Sequence, residues 1–287
     1  MTEPVQAAGA TKRGWAPLAD LQRPRTPAAA AAKAKVGEVV KKPAVQPEWK
    51  PEPPMFSVGN PAAKSTATLE SQQHTSSPHR YWWLHGSEKV AGETLAGLEK
   101  RGTTIRTLSE KRHWKVKGLR VDPNRWLTPA GAEDYVRSKN RGASERQIQD
   151  TLASLNFMRE TWLPTMKPGK GGAIISAHNS HPHVRYPGNK TIFEHEHQKS
   201  WAAHFGDTDE VDFILVTNEQ DFNAAVDQQA PFNVFYQPFD PKAKDDGSAS
   251  YLAGVEGWRY FNPEVSLRKG SREKQKAMID WIETLNQ

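Results

Sequence analysis

The chain has 287 residues and a formal net charge of +6, but the first 78 residues hold 10 Lys and Arg against 6 Asp and Glu, which leaves 29 against 27 in the rest. A nearly neutral remainder argues against nucleic-acid binding as the main activity. The chain contains no cysteine, which excludes thiolate metal sites, cysteine nucleophiles and disulfides.

The first 78 residues differ in composition from the rest. They hold 11 of the 21 prolines and an alanine run at 28–32, with little apolar periodicity, which predicts a disordered or extended tail over 1–78 and a folded domain over 79–287. The start lacks the basic and apolar regions of a signal peptide, and no apolar stretch approaches about 18 residues. We therefore expect no membrane span, and a cytoplasmic location or export by a route without a cleaved signal peptide.

The folded part is predicted to begin with a strand and a helix. An apolar run predicts the strand over 81–84, and apolar residues at helical spacing predict the helix over 88–100, ending near Gly102. Two further strands are expected at 103–108 and 114–121, the second broken by Asp-Pro-Asn at 122–124. This part of the chain therefore has a β-then-α order.

The second half of the chain continues the alternation. A helix follows the break, the clearest helix spans 144–163 before a loop at 164–172, and 173–177 is typical of a strand covered on both faces. Further strands are expected at 211–216, 232–237 and 260–264, with helices at 221–228 and 273–285. The pattern predicts an α/β fold, a three-layer α/β/α domain with a mixed, largely parallel sheet, in which ligands gather at the carboxyl ends of strands.

Polar residues capable of chemistry stand at the ends of these strands. His85 and Glu88 follow the first strand, His178 follows the strand at 173–177, and Glu264 lies in the last strand. Imidazole nitrogens and carboxylate oxygens are good zinc ligands. Taken singly, His85 is better explained as a hydrogen-bonded strand-end histidine, and Glu88 is better explained as a residue favoured at a helix N-terminus. Taken together and in order, they favour a metal site.

A fourth motif, Asp122-Pro123-Asn124-Arg125, follows the strand at 114–121. Alone it is typical of a turn. The guanidinium of Arg125 can hold a carboxylate in a two-pronged way beside the Asn124 amide. Asp122 is suited to accept a hydrogen bond from a ligating imidazole and fix its orientation.

The order HxxE, DxNR, strand-end His and late Glu resembles the zinc carboxypeptidase superfamily, including its succinylglutamate desuccinylase and aspartoacylase branch. The resemblance covers about 79–287. It implies that zinc is held by His85, Glu88 and His178, that Glu264 is the catalytic base, and that Asn124 and Arg125 hold the substrate.

The resemblance also implies a further arginine that polarises the scissile carbonyl. Arg112 and Arg120 both precede the DxNR motif, and Arg112 is favoured because Arg120 lies within the alternating run. A proline directly before Glu264 departs from the family pattern.

Two other groups suggest competing metal sites. One is the set of histidines at His181, His183, His195, His197 and His204. It lacks HExxH spacing, so substrate-loop or surface positions are the favoured interpretation. The other is Asp245-Asp246-Gly247-Ser248, which is short of a calcium-binding loop and is better explained as a turn.

These observations predict a zinc-dependent hydrolase that cleaves an amide bond near a free carboxylate. Peptides, N-acyl amino acids and peptidoglycan stem peptides all carry such a carboxylate. The tail is compatible with a bacterial effector that binds a secretion machinery. The alternative is a catalytically inactive binding or adaptor module that uses the tail as a docking segment.

Overall fold

The computed structural model contains a nine-stranded mixed sheet. It describes residues 69–72, 77–98, 101–181, 183–207 and 211–285. These residues all belong to the unit Pro53–Gln287. Residues 1–68 of the predicted tail lie outside the described residues. Residues 69–72, which precede the predicted domain boundary at 79, form the first strand of this sheet.

The strands of the main sheet are β1 Leu69–Gln72, β2 Arg80–Trp83, β3 Thr103–Thr107, β6 Ala173–Ser176, β7 His178–Ser180, β8 Ala202–Phe205, β9 Phe213–Val216, β10 Asn233–Tyr236 and β11 Arg259–Ser266. They run in the order β1-β3-β2-β6-β11-β9-β10-β8, and β7 also pairs with β11. The neighbouring strands β3, β2, β6 and β11 are parallel to one another, whereas β1, β9 and β8 each run antiparallel to a neighbour.

Seven helices cover the two faces of this sheet in the described residues. The helices are α1 Lys89–Ala96, α2 Pro129–Lys139, α3 Glu145–Met166, α4 Ile192–Lys199, α5 Glu219–Asp227, α6 Ala249–Glu256 and α7 Ser271–Thr284. Helices α2, α3, α4 and α6 contribute to one buried apolar cluster, and α1, α5 and α7 contribute to the other. None of these helices is both long and apolar enough to cross a membrane.

Alternating side chains of the strands supply both clusters. Ile174 and Tyr260 enter the first cluster, whereas Ile175 and Phe261 enter the second. Apolar residues therefore occupy consecutive positions of the central strands, as expected for strands covered on both faces. The predicted α/β fold class, with three layers and a mixed, largely parallel sheet, is confirmed.

Several predicted elements differ in detail. The single strand expected at 114–121 is a hairpin of β4 Trp114–Val116 and β5 Leu119–Val121, which form a separate two-stranded sheet. The tight turn at Lys117 and Gly118, both with positive φ, reverses the chain there. The elements α4, β8 and α6 were not predicted, and α3 continues through Pro164 to Met166.

A close backbone contact fixes the loop between β2 and α1. A Cβ atom on Gly86 would lie 1.7 Å from the carbonyl oxygen of Ser109. Ser109 belongs to the segment that follows β3. The loop that carries His85 and Glu88 therefore packs directly against the end of a neighbouring strand. Only glycine fits without displacing one of the two backbones.

We expect Gly86→Ala to lower the free energy of unfolding by about 1–3 kcal/mol, because the added methyl group forces the two segments apart. Gly142→Ala is the control, since a Cβ there meets nothing within 4 Å. Its effect should stay within about 0.5 kcal/mol. Urea denaturation measures both, and equal stabilities for the two variants would show that the contact at Gly86 is not constraining.

Candidate metal centre

Three buried side chains from separate elements converge at the carboxyl ends of the parallel strands. His85 follows β2, Glu88 is the N-cap residue of α1, and His178 begins β7. Their exposed fractions are 3%, 5% and 7%, and one ligand atom from each lies within 4.8 Å of the others. Among the described residues, they form the one group of three or more such side chains that is arranged to hold a metal ion.

Both histidines direct the same ring nitrogen at one carboxylate. Nδ1 of His85 lies 3.1 Å from Oε1 of Glu88, and Nδ1 of His178 lies 3.0 Å from Oε2. The His85 Nδ1 is buried without a hydrogen-bond partner, although it is this close to Glu88. A buried ring nitrogen that faces a carboxylate and a second imidazole, and that can exchange its proton for a cation, fits a metal ligand.

The opposite ring nitrogens are held by other side chains. Nε2 of His85 lies 2.8 Å from Oδ1 of Asp122, and Nε2 of His178 lies 3.0 Å from Oγ of Ser176. Such partners fix the tautomer and the orientation of a ligating imidazole. Asp122, which was predicted to accept a hydrogen bond from a ligating imidazole, thus lies against His85. Its role at a metal site stays a prediction, and Ser176 was not predicted.

Charges in the group stabilise one another. Burial alone would lower the pKa of His85, but Glu88 and Asp122 outweigh it and raise the pKa to about 9. Burial alone would raise the pKa of Glu88, but His178 and His85 hold it at about 2. The carboxylate is therefore ionised near neutral pH and available as a ligand.

Glu264 faces the same side of the sheet as His178. The two residues are paired in register between β11 and β7, and side chains at paired positions project from the same face. Burial, followed by repulsion from Glu88 and Glu196, raises the pKa of Glu264 well above its usual value. A carboxylate in this state is a stronger base than an exposed one.

The DxNR segment is both a turn and part of the site. Oδ1 of Asp122 accepts hydrogen bonds from the Asn124 backbone N–H and from His85, each at 2.8 Å. The Asn124 side-chain oxygen accepts from the N–H of Ala249 at 2.8 Å, at the start of α6. The turn explanation and the functional explanation of this motif are therefore compatible, and the Asn124 oxygen is already engaged.

The arginines occupy separate positions around the site. Nη1 of Arg112 lies 3.5 Å from Oε1 of Glu88, whereas Arg120 donates a hydrogen bond to His113. Nη1 of Arg125 lies 3.7 Å from Oδ2 of Asp246. Of the three arginines, Arg112 lies beside the metal group, and its predicted role toward a scissile carbonyl stays a prediction.

Three of the remaining histidines, His195, His197 and His204, contact groups outside the metal site. Residues 194–197 lie in α4, where alternate residues point in different directions. His195 stacks on Tyr186 with ring centroids 4.6 Å apart, His197 packs against Phe235, and Nε2 of His204 lies 2.9 Å from the Ala230 carbonyl oxygen.

The acidic loop before α6 has the contacts of a turn. Asp245 accepts a hydrogen bond from the N–H of Gly247, and Asp246 accepts one from the N–H of Ser248. These local contacts are typical of Asx turns.

Two buried amides tie the elements of the site together, and neither was predicted. Gln275 of α7, fully buried, donates to the carbonyl oxygens of His178 at 2.7 Å and Pro263 at 2.9 Å. Pro263 has no N–H to donate to the sheet, so Gln275 supplies a link where β11 and β7 meet. Asn179 accepts from the Ala91 N–H at 3.1 Å, which joins β7 to the start of α1.

Comparisons with known proteins give likeness in shape alone. No protein-family model and no curated protein matches the chain. Similar solved structures include the cell shape determinant protein Csd4 from Helicobacter pylori, with a TM-score of 0.39, 11% identity and coverage of 77% of this chain and 55% of that chain. They also include murein-tripeptide amidase MpaA from Escherichia coli O157, with a TM-score of 0.34, 12% identity and coverage of 76% and 92%.

The chain therefore spans about half the length of Csd4. What the site does follows from its own residues.

We expect Gln275→Leu to weaken zinc binding by roughly tenfold, a loss of the size seen when partners that orient ligands are removed. It should also lower the free energy of unfolding by about 2–4 kcal/mol, because two buried carbonyl groups lose their donor. Calorimetric zinc titration and urea denaturation measure the two effects.

Asn233→Leu is the matched control, since this buried amide donates to the Asp212 carbonyl oxygen at 3.1 Å and contacts no member of the metal group. It should lose stability but keep its zinc affinity. Equal zinc affinities for wild type and Gln275→Leu would contradict the positioning role.

Proposed function

We propose that this chain is a zinc-dependent hydrolase of the carboxypeptidase or amidohydrolase type, which cleaves an amide bond near a free carboxylate. The observation that carries the proposal is the convergence of His85 Nδ1, Glu88 and His178 Nδ1, with the opposite nitrogen of each ring held in place. Two imidazoles and one carboxylate suit zinc better than the hard cations magnesium and calcium, which prefer oxygen ligands.

The donor set supports catalysis as well as metal binding. Three protein ligands leave zinc a further position, and zinc bound there would lower the pKa of a water molecule and polarise a carbonyl group. His85 and His178 would be neutral ligands, kept in orientation by Asp122 and Ser176.

Glu264 is proposed as the general base and then the general acid. It would accept a proton from the attacking water molecule and pass it to the leaving nitrogen, so that the amide C–N bond breaks with a neutral amine as product. Its buried position supports this role, because burial and the charge of Glu88 raise the pKa of the Glu264 carboxyl and so make the carboxylate a stronger base.

The arginines are proposed to orient the substrate. Arg112, next to Glu88, would stabilise negative charge that develops on the carbonyl oxygen of the scissile amide. Arg125 would hold the free carboxylate of the substrate. Asn124 supports this arrangement by fixing the turn, and its NH₂ group is available to the substrate.

The substrate is proposed to be a peptide or an N-acyl amino acid, and a peptidoglycan stem peptide belongs to this class. Delivery as a bacterial effector, and a secretion-machinery partner for the tail, stay predictions, because the tail up to residue 68 lies outside the described residues.

We expect purified protein to bind one zinc ion and to hydrolyse members of a panel of peptides, N-acyl amino acids and muropeptides with free carboxylates. Glu264→Gln should lower kcat by at least about 100-fold, because the general base is removed, while zinc content stays unchanged. Glu256→Gln, an exposed glutamate in α6, is the control and should keep full activity. Unchanged hydrolysis by Glu264→Gln would refute the assigned role, and absence of zinc binding would favour an inactive binding module.

We expect Arg125→Gln to raise KM roughly tenfold for substrates with a free carboxylate and to leave KM unchanged for their amidated counterparts, because one charge-assisted contact is lost. Arg141→Gln, at an exposed position after α2, should change neither value. Steady-state kinetics on each acid and amide pair measures this, and an equal rise of KM for both would show that Arg125 does not recognise the carboxylate.

A further inference from the structure

A tyrosine outside the ligand group is connected to one of its histidines. Tyr260 on β11 is paired in register with Ile174 on β6, and Ser176 lies two residues further along β6. Residues two apart on a strand project from the same face, so Ser176 stands on the side of the sheet to which Ile174 and Tyr260 project. The hydroxyl groups of Tyr260 and Ser176 are hydrogen-bonded to each other.

These two hydroxyl groups form a buried chain that ends at a proposed zinc ligand. Oγ of Ser176 lies 3.0 Å from Nε2 of His178, and Nδ1 of the same ring faces Glu88. Ser176 is fully buried, and Tyr260 is 2% exposed. Because bulk water does not compete for these hydrogen bonds, the groups themselves decide which of them donates and which accepts.

Metal binding demands one direction of these hydrogen bonds. A neutral imidazole carries one proton, so a metal ion at Nδ1 of His178 requires that proton to sit on Nε2. Nε2 then donates to Ser176, and the single proton of the Ser176 hydroxyl must point elsewhere.

Tyr260 supplies the acceptor for this proton. Burial raises the pKa of the Tyr260 phenol, and the hydrogen bond with Ser176 lowers it, as expected when Ser176 donates to the phenol oxygen. The chain therefore runs from Nε2 of His178 to Ser176 and from Ser176 to Tyr260.

We infer that Tyr260 is a positioning residue of the metal centre, which accepts the Ser176 proton and so keeps the Ser176 oxygen as the acceptor for Nε2 of His178. This inference rests on the metal site of the proposed function. Without the phenol oxygen, Ser176 can turn its proton toward Nε2. His178 would then carry its own proton on Nδ1, the nitrogen that faces the metal position.

Zinc affinities of single and double variants of the full chain test this inference, with calorimetric zinc titration as the measurement. Ser176→Ala should weaken zinc binding by roughly tenfold, a loss of the size seen when a partner of a ligating histidine is removed. Tyr260→Phe should weaken it by roughly fivefold, the size of one hydrogen bond. The double variant should lose no more affinity than Ser176→Ala alone, because Tyr260 acts through Ser176.

Tyr81→Phe is the matched control. This buried tyrosine donates to Oε1 of Glu283 at 2.6 Å and belongs to the apolar cluster on the other face of the sheet. The variant should lose stability in urea denaturation and keep the zinc affinity of wild type. Losses that simply add in the double variant, or a wild-type zinc affinity in Tyr260→Phe, would overturn the inference.

A spectroscopic measurement on wild type does not depend on how well the variants fold. In nitrogen-15 NMR spectra of zinc-loaded protein, the Nε2 proton of His178 should exchange slowly with water, because it is donated within a buried chain. In Tyr260→Phe it should exchange faster, while the Nε2 proton of His85, next to Asp122, is unchanged. Fast exchange at His178 in wild type would overturn the inference.

The outcomes separate this inference from the hydrolase proposal. Non-additive losses of zinc affinity, in protein that hydrolyses none of the substrate panel, would support the positioning role and refute the hydrolase. Additive losses in an active hydrolase would refute the positioning role alone. Absence of zinc binding by wild type would refute both.

Discussion

The buried carboxylate of Glu88 lies between two imidazoles, and this shared contact constrains the rest of the site. A charged group in a protein interior is costly unless it is paired and hydrogen-bonded. Here His85 and His178 lower the pKa of Glu88 to about 2, while Glu88 and Asp122 keep the pKa of His85 at about 9 against the opposing effect of burial. The cluster has the composition of a metal site, since a divalent cation would replace the protons that otherwise balance this charge.

The sheet brings these groups together from distant parts of the sequence. Parallel strands place their carboxyl ends at one edge, so the residues that follow β2 and β6 become neighbours. Contacts between elements then refine the arrangement. Gly86 permits a close approach at Ser109, and Gln275 joins the backbones of β7 and β11. Ligand orientation therefore depends on packing outside the group as well as on the ligands.

Much of the fold and of the candidate site could be predicted, because both depend on local patterns. Alternating and helical periodicity indicated most strands and helices, and strand-end positions indicated His85, Glu88 and His178. The hairpin at 114–121 was missed although the sequence carries a local sign of it, because the apolar positions shift by one residue across Lys117 and Gly118. The contribution of Gln275 has no local signal, because it depends on where α7 packs. Ser176 could have been found, since it lies two residues before His178 within the strand that the sequence predicts at 173–177.

The central claim is that one metal ion binds at His85, Glu88 and His178. A crystal structure of the zinc-loaded protein, with anomalous data collected on both sides of the zinc absorption edge, tests it most directly. The account predicts a single strong anomalous peak in contact with Nδ1 of His85, Nδ1 of His178 and the carboxylate of Glu88. A peak among the histidines of α4, or no peak at Glu88 in fully loaded protein, would contradict it.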